Sequence, residues 1–149
     1  MHPSFREVLE RQDGIVAEGG MLFSVTEGGA SLMMYTGNSD TVCVPDSVSG
    51  APVVSIDESA FSGNLALRCV SIPGSVRDIG DSAFEGCSCL QRIYIQGIPS
   101  FGNRCLSLGT YDRQVICEVF APEEVLQMLS DPRSWAYDPD GTFFVPKRR

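Results

Sequence analysis

The sequence predicts a solenoid, an α/β fold that is mostly β, in which about four short coils stack on one another. Three observations carry this. Ile56-Asp-Glu-Ser-Ala60-Phe61-Ser-Gly63 returns as Ile79-Gly-Asp-Ser-Ala83-Phe84-Glu-Gly86, with Phe61 and Phe84 23 residues apart. A fixed period of this size marks stacked repeats. An aliphatic-x-aliphatic ending also recurs, at Val42-x-Val44-Pro45, Val70-x-Ile72-Pro73, Ile93-x-Ile95 and Val119-x-Ala121-Pro122, in steps of 28, 23 and 26 residues. Finally, both ends read differently from the middle, as the lids of a solenoid must.

The elements follow in order. Residues 1–35 read as an N-terminal cap. Ser4 and Glu7 make a capping box, Phe5, Val8 and Leu9 share one face, and Gly14 ends the predicted helix. Met21–Val25 and Ser31–Tyr35 flank Glu27-Gly28-Gly29, a hairpin signal. Residues 36–121 hold the repeats. In each aliphatic pair the two outer residues point in and the middle one points out, so equivalent strands form a parallel sheet on one face, about 4.8 Å apart. The Ala-Phe unit lies on the return arm as a tight helical turn, with Phe filling the coil. Gly63 and Gly86 release that turn where positive φ is cheap. Residues 122–149 read as a C-terminal cap and tail. Pro122 opens a helix with Glu123 and Glu124 at its positive end, Val125, Leu126 and Leu129 make its apolar face, and Asp131-Pro132 stops it. Trp135 completes the lid. By length the whole is one domain.

These residues resemble the BspA-like leucine-rich repeats. The best copy is Ile79-Gly80-Asp-Ser-Ala83-Phe84-Glu-Gly86-Cys87-Ser-Cys-Leu90, following Val70-x-Ile72-Pro73. Tyr35-Thr-Gly37-Asn38 and Gly50-Ala-Pro-Val53 look like that family's first coil, and Val119-Phe-Ala-Pro122-Glu-Glu-Val125 is similar to its closing segment. The third copy, Phe101-Gly102-Asn-Arg-Cys105-Leu106, departs from the motif and is one residue out of step. The resemblance implies a right-handed leucine-rich-repeat array of bacterial style, used for protein–protein interaction through its sheet face.

Composition excludes several functions. With 11 Lys and Arg against 19 Asp and Glu, the formal charge is −8, which argues against nucleic acid. Lys147-Arg148-Arg149, the one basic cluster, reads as a solvated tail. No apolar run is long enough to span a membrane. No signal peptide pattern opens the chain, so as written it is expected in the cytoplasm. Cell-surface display is the alternative, because BspA-like relatives are often exported.

Chemistry-bearing residues are sparse. His2, the single histidine, lies in a fraying terminus and makes a poor triad member. Lys147 is the single lysine, and no nucleotide-binding glycine loop occurs. No catalytic residue, metal ligand or cofactor is assigned. Carboxylates are numerous, so a carboxylate-dependent hydrolase is kept as the rival reading, although no pair stands out. The six cysteines, Cys43, Cys69, Cys87, Cys89, Cys105 and Cys117, are read as packing residues. Cys87-Ser-Cys89 is a weak zinc signal, and disulfides would require an oxidising compartment.

The alternation also names the outward columns. They are Cys43, Ser71, Tyr94 and Phe120, preceded by Thr41, Cys69, Arg92 and Glu118. Arg and aromatic side chains are enriched at interface hot spots, so Arg92, Tyr94 and Phe120 are the expected contact residues for a protein partner. Four strands give a strip of only about 200 Å2, against about 800 Å2 per partner for a standard interface. The expectation is a monomeric, non-catalytic scaffold, with a surface-adhesion fragment as a further alternative.

Overall fold

The structure, a computed structural model, describes residues 14–108, 117–130 and 144–147. Short β-branched segments separated by Gly, Pro and Asp build nearly all of it. Strands β1 (Ile15–Glu18), β2 (Met21–Thr26) and β3 (Gly29–Tyr35) form an antiparallel meander. The β2–β3 hairpin turns at Glu27-Gly28 as expected, and β1 adds a strand beyond the expectation. The helix expected before Gly14 lies outside the described residues. The chain continues through β4 (Thr41–Cys43), β5 (Ser47–Val48), β6 (Ala51–Ile56), β7 (Cys69–Ile72), β8 (Asp78–Ile79), β9 (Arg92–Ile95), β10 (Ser100–Phe101) and β11 (Cys117–Phe120). It ends with helix α1 (Glu123–Ser130) and strand β12 (Phe144–Lys147).

Two sheets wrap a shared interior. The first is parallel, in the order β12-β11-β9-β7-β4. Val42 pairs with Val70, Val70 with Ile93, and Ile93 with Val119, so the predicted coil endings are direct neighbours. All four are buried, as are Val44, Ile72, Ile95 and Ala121, the next inward column. The second sheet runs β1-β2-β3-β6-β8-β10. Within it β3, β6, β8 and β10 are parallel, so the meander extends the repeat sheet itself and pairs an edge that would otherwise be open. Its repeat strands β8 and β10 are two residues each, too short to show a pattern in sequence.

The return arm explains the motif. The N–H groups of Ser59, Phe61 and Gly63 donate to the carbonyls of Asp81, Ala83 and Glu85 in the next coil, at 2.7–3.0 Å. The alternate N–H groups of Ala60, Ser62 and Asn64 donate three residues back within the coil, at 3.1–3.2 Å. Half of the donors thus serve the stack and half the turn, so the arm is a series of turns and not a continuous helix. Phe61 and Phe84 fill the interior, with ring centroids 4.8 Å apart and planes 8° from parallel, and Tyr35 extends the column at 5.4 Å. The slot after the motif uses a side chain to tie coils together. Asn64 Nδ2 donates to the Gly37 carbonyl at 3.2 Å, and Cys87 Sγ donates to the Phe61 carbonyl at 2.9 Å.

The irregular third copy keeps this geometry. Ser82, Phe84 and Gly86 donate to Asn103, Cys105 and Ser107 at 2.8–3.0 Å. Arg104 takes the left-handed conformation of Ser59 and Ser82, with φ of 56°, 59° and 57° respectively. Cys105 therefore stands in the Ala83 slot and Leu106 in the Phe84 slot, both buried. What the third copy must retain is Gly102. A Cβ there would sit 2.6 Å from the Gly80 carbonyl carbon and collide with the Asp81 backbone nitrogen. Gly102→Ala is expected to destabilise by about 2–3 kcal/mol, because fixed backbone has to move. A urea unfolding curve checks this; an unchanged midpoint contradicts so close an approach of the coils.

The C-terminal helix forms where Pro122 predicts it, with the Val125 and Leu126 N–H groups donating to the Pro122 carbonyl. Val125 and Leu126 are buried. The segment read as a tail departs from expectation, because Phe144–Lys147 pairs in parallel with β11 as a fifth strand.

Candidate binding face

The outer surface of the first sheet is assembled by register. Thr41, Cys69, Arg92 and Glu118 are successive partners across β4, β7, β9 and β11, and so are Cys43, Ser71, Tyr94 and Phe120. These are the two columns that the alternation predicts. Thr41, Cys43 and Arg92 are exposed, and Cys69, Ser71, Tyr94, Glu118 and Phe120 are half-buried. Arg92 and Tyr94 are two residues apart on one strand and therefore share a face. Tyr94 and Phe120 stack, with centroids 4.8 Å apart and planes 12° from parallel. That separation is about the spacing of neighbouring strands, so each strand contributes one ring to the stack.

The strand missed in the sequence enlarges this face. Register sets Lys147 beside Phe120 and Val145 beside Glu118. Its Val145-Pro146 resembles a coil ending but is out of phase, because Pro146 stands opposite Val119. Proline lacks an N–H and suits an edge strand, so periodicity gives no sign of it. Five strands make a strip about 19 Å wide.

The thiols divide by environment. All six cysteines are unpaired. Burial pushes the Cys69 thiol up, helped by nearby Cys43 and Asp40 and opposed by the Arg92 guanidinium. Cys87, Cys105 and Cys117 are buried, as the packing reading expects, whereas Cys43 is exposed and Cys69 and Cys89 are half-buried, so that reading holds for three of the six. Desolvation raises Cys87 to about 11 and the other two to about 12, so they stay protonated and unreactive at neutral pH.

The second sheet carries a polar ladder that the sequence reading did not single out. Ser31 pairs with Ser55, Ser55 with Asp78 and Asp78 with Ser100. The Ser55 and Ser31 hydroxyls are hydrogen-bonded to each other at 2.8 Å, and Ser100 Oγ donates to the Asp78 carboxylate at 2.6 Å. Beside it, burial raises the Asp57 carboxyl while the Ser55 hydroxyl lowers it. These groups spend their hydrogen bonds on one another. Among the described residues no carboxylate is fully buried, Asp57 being half-buried, and no three potential metal ligands gather. No helix among them is long and apolar enough to cross a membrane.

Comparison with known proteins agrees with this architecture. The chain resembles three solved proteins. One is the leucine-rich-repeat protein of T. pallidum, 27% identical, covering 72% of this chain and 60% of that one, with a TM-score of 0.54. Another is a leucine-rich cell surface protein of Faecalibacterium prausnitzii, 22% identical, covering 89% and 42%, with a TM-score of 0.57. The third is a leucine-rich-repeat protein of Bacteroides capillosus, 24% identical, covering 88% and 98%, with a TM-score of 0.58. The chain thus spans less than two thirds of the first two. No curated protein sequence matches it. The BspA type leucine-rich-repeat region matches residues 35–118 in six copies, more than half of the chain and the same stretch whose strands, glycines and stacked phenylalanines build the coils. The chain belongs to the BspA-type leucine-rich-repeat family.

Proposed function

We propose that this protein is a non-catalytic scaffold for protein–protein interaction and that Arg92, Tyr94 and Phe120 make the contact. The observation that carries the reading is the stacked, half-buried Tyr94–Phe120 pair on the outer face of the first sheet, with exposed Arg92 beside it. Such aromatic and guanidinium groups dominate interface energetics. The caps and coils act as one domain, and it works as a single chain. The rival hydrolase reading needs paired carboxylates in a shielded cleft, and Ser107 is the one buried polar side chain among the described residues. Unpaired thiols fit a reducing compartment, whereas the cell-surface relative favours display outside. Fractionation of the native producer decides between these.

The test compares wild type with an Arg92→Ala/Tyr94→Ala/Phe120→Ala variant in affinity capture followed by quantified binding of the recovered partner. At least tenfold weaker binding by a variant that unfolds cooperatively is expected. Equal binding removes the sheet face as the contact surface.

A further inference from the structure

We propose that the step beside Tyr94 receives an aromatic side chain from a short extended peptide segment of the partner, which continues the Phe120–Tyr94 stack over Ser71. This rests on the sheet face being the contact surface and specifies what that surface takes. On one side of Tyr94 lies the Phe120 ring, 4.8 Å away and nearly parallel. On the other side the register partners are Ser71 and then Cys43, whose side chains are small. The outward column therefore drops from two rings to a hydroxyl and a thiol. One more planar group at the strand spacing of about 4.8 Å would stand on the Ser71 side of Tyr94, above the small, half-buried Ser71 side chain. The interior of this chain already uses that arrangement, since Tyr35, Phe61 and Phe84 run one ring per coil at 5.4 and 4.8 Å.

Area selects the form of the partner. Five strands with about four residues each give a flat strip of about 250 Å2, well below the roughly 800 Å2 that a folded partner covers. A short extended segment fits the strip and needs no larger footprint. Arg92, exposed and on the same face as Tyr94, offers its planar fork of donors to oxygen atoms of that segment.

The experiment pans a phage-displayed library of random dodecapeptides on the wild-type chain and measures the selected peptides by fluorescence anisotropy. Selected peptides are expected to share a Phe, Tyr or Trp whose replacement by Ala weakens binding at least tenfold. Tyr94→Ala is expected to weaken binding by a similar factor. Ser71→Trp, which fills the step from the chain itself, is expected to abolish it while the circular dichroism melt stays close to wild type. Selection of peptides without an aromatic, no enrichment at all, or undiminished binding to Ser71→Trp overturns the proposal. Peptides lacking an aromatic that nonetheless fail on Arg92→Ala/Tyr94→Ala/Phe120→Ala would leave the sheet-face reading standing. Peptides indifferent to every one of these substitutions would remove both.

Discussion

Truncation of Phe84 to alanine is expected to lower the unfolding free energy by about 3–5 kcal/mol. The ring is fully buried and stacks on Phe61. Its backbone is clamped from both sides, since the Ala83 carbonyl accepts from Phe61 and the Phe84 N–H donates to Cys105. With both neighbouring coils held in that ladder, little collapse into the vacated space is available, which places the effect toward the high end. The whole domain is stable by only about 5–15 kcal/mol, so this is a large fraction. Phe84→Leu is the control: Leu106 already occupies the same slot one coil later, and a loss of about 1–1.5 kcal/mol is expected. Urea titration followed by circular dichroism measures both. Equal midpoints for Phe84→Ala and wild type would contradict a common dry interior.

Raising the pH from 8 to 10 should remove about 4 kcal/mol of stability through three thiols. In the unfolded chain each titrates near the ordinary value of 9.0, whereas in the fold Cys87 titrates near 11 and Cys105 and Cys117 near 12, mainly because burial disfavours the thiolate. Below pH 9 both states hold their protons and stability does not vary through these groups. Between 9 and 11–12 the unfolded chain releases protons that the folded chain keeps, so stability falls as pH rises. Each thiol contributes about 1.4 kcal/mol by pH 10. The check is the slope of stability against pH in wild type and in Cys87→Ala/Cys105→Ala/Cys117→Ala; the variant should be flatter by that amount. Parallel slopes would show that the thiols are not desolvated. Exposed Cys43 should react with Ellman's reagent in the native state, while the three buried thiols react only in denaturant.

Much of the candidate face was legible before any coordinates. Alternation around Val42, Val70, Ile93 and Val119 assigned Arg92, Tyr94 and Phe120 to one outward surface, because a β-strand turns successive side chains to opposite faces. The same rule could not show that Tyr94 and Phe120 stack, since ring orientation is set by neighbours across strands. The small slots were legible by aligning the two regular copies. Cys87 takes the position of Asn64, and both tie a coil to the one before it. Leu106 in place of Phe84 made the third copy read as irregular, although its backbone ladder continues regardless of which apolar side chain fills it.

The sequence by itself determined the repeat period, the inward and outward columns, the hairpin near the N-terminus and the helix after Pro122. These are local patterns whose meaning depends only on chain geometry. Only the tertiary structure decided that β3 joins the second sheet, that β8 and β10 are strands at all, and that Phe144–Lys147 closes the first sheet as a fifth strand. Each depends on backbone hydrogen bonds to a distant segment, and a two-residue strand or one carrying Pro146 acquires its partner from the edge already waiting there and not from its own residues.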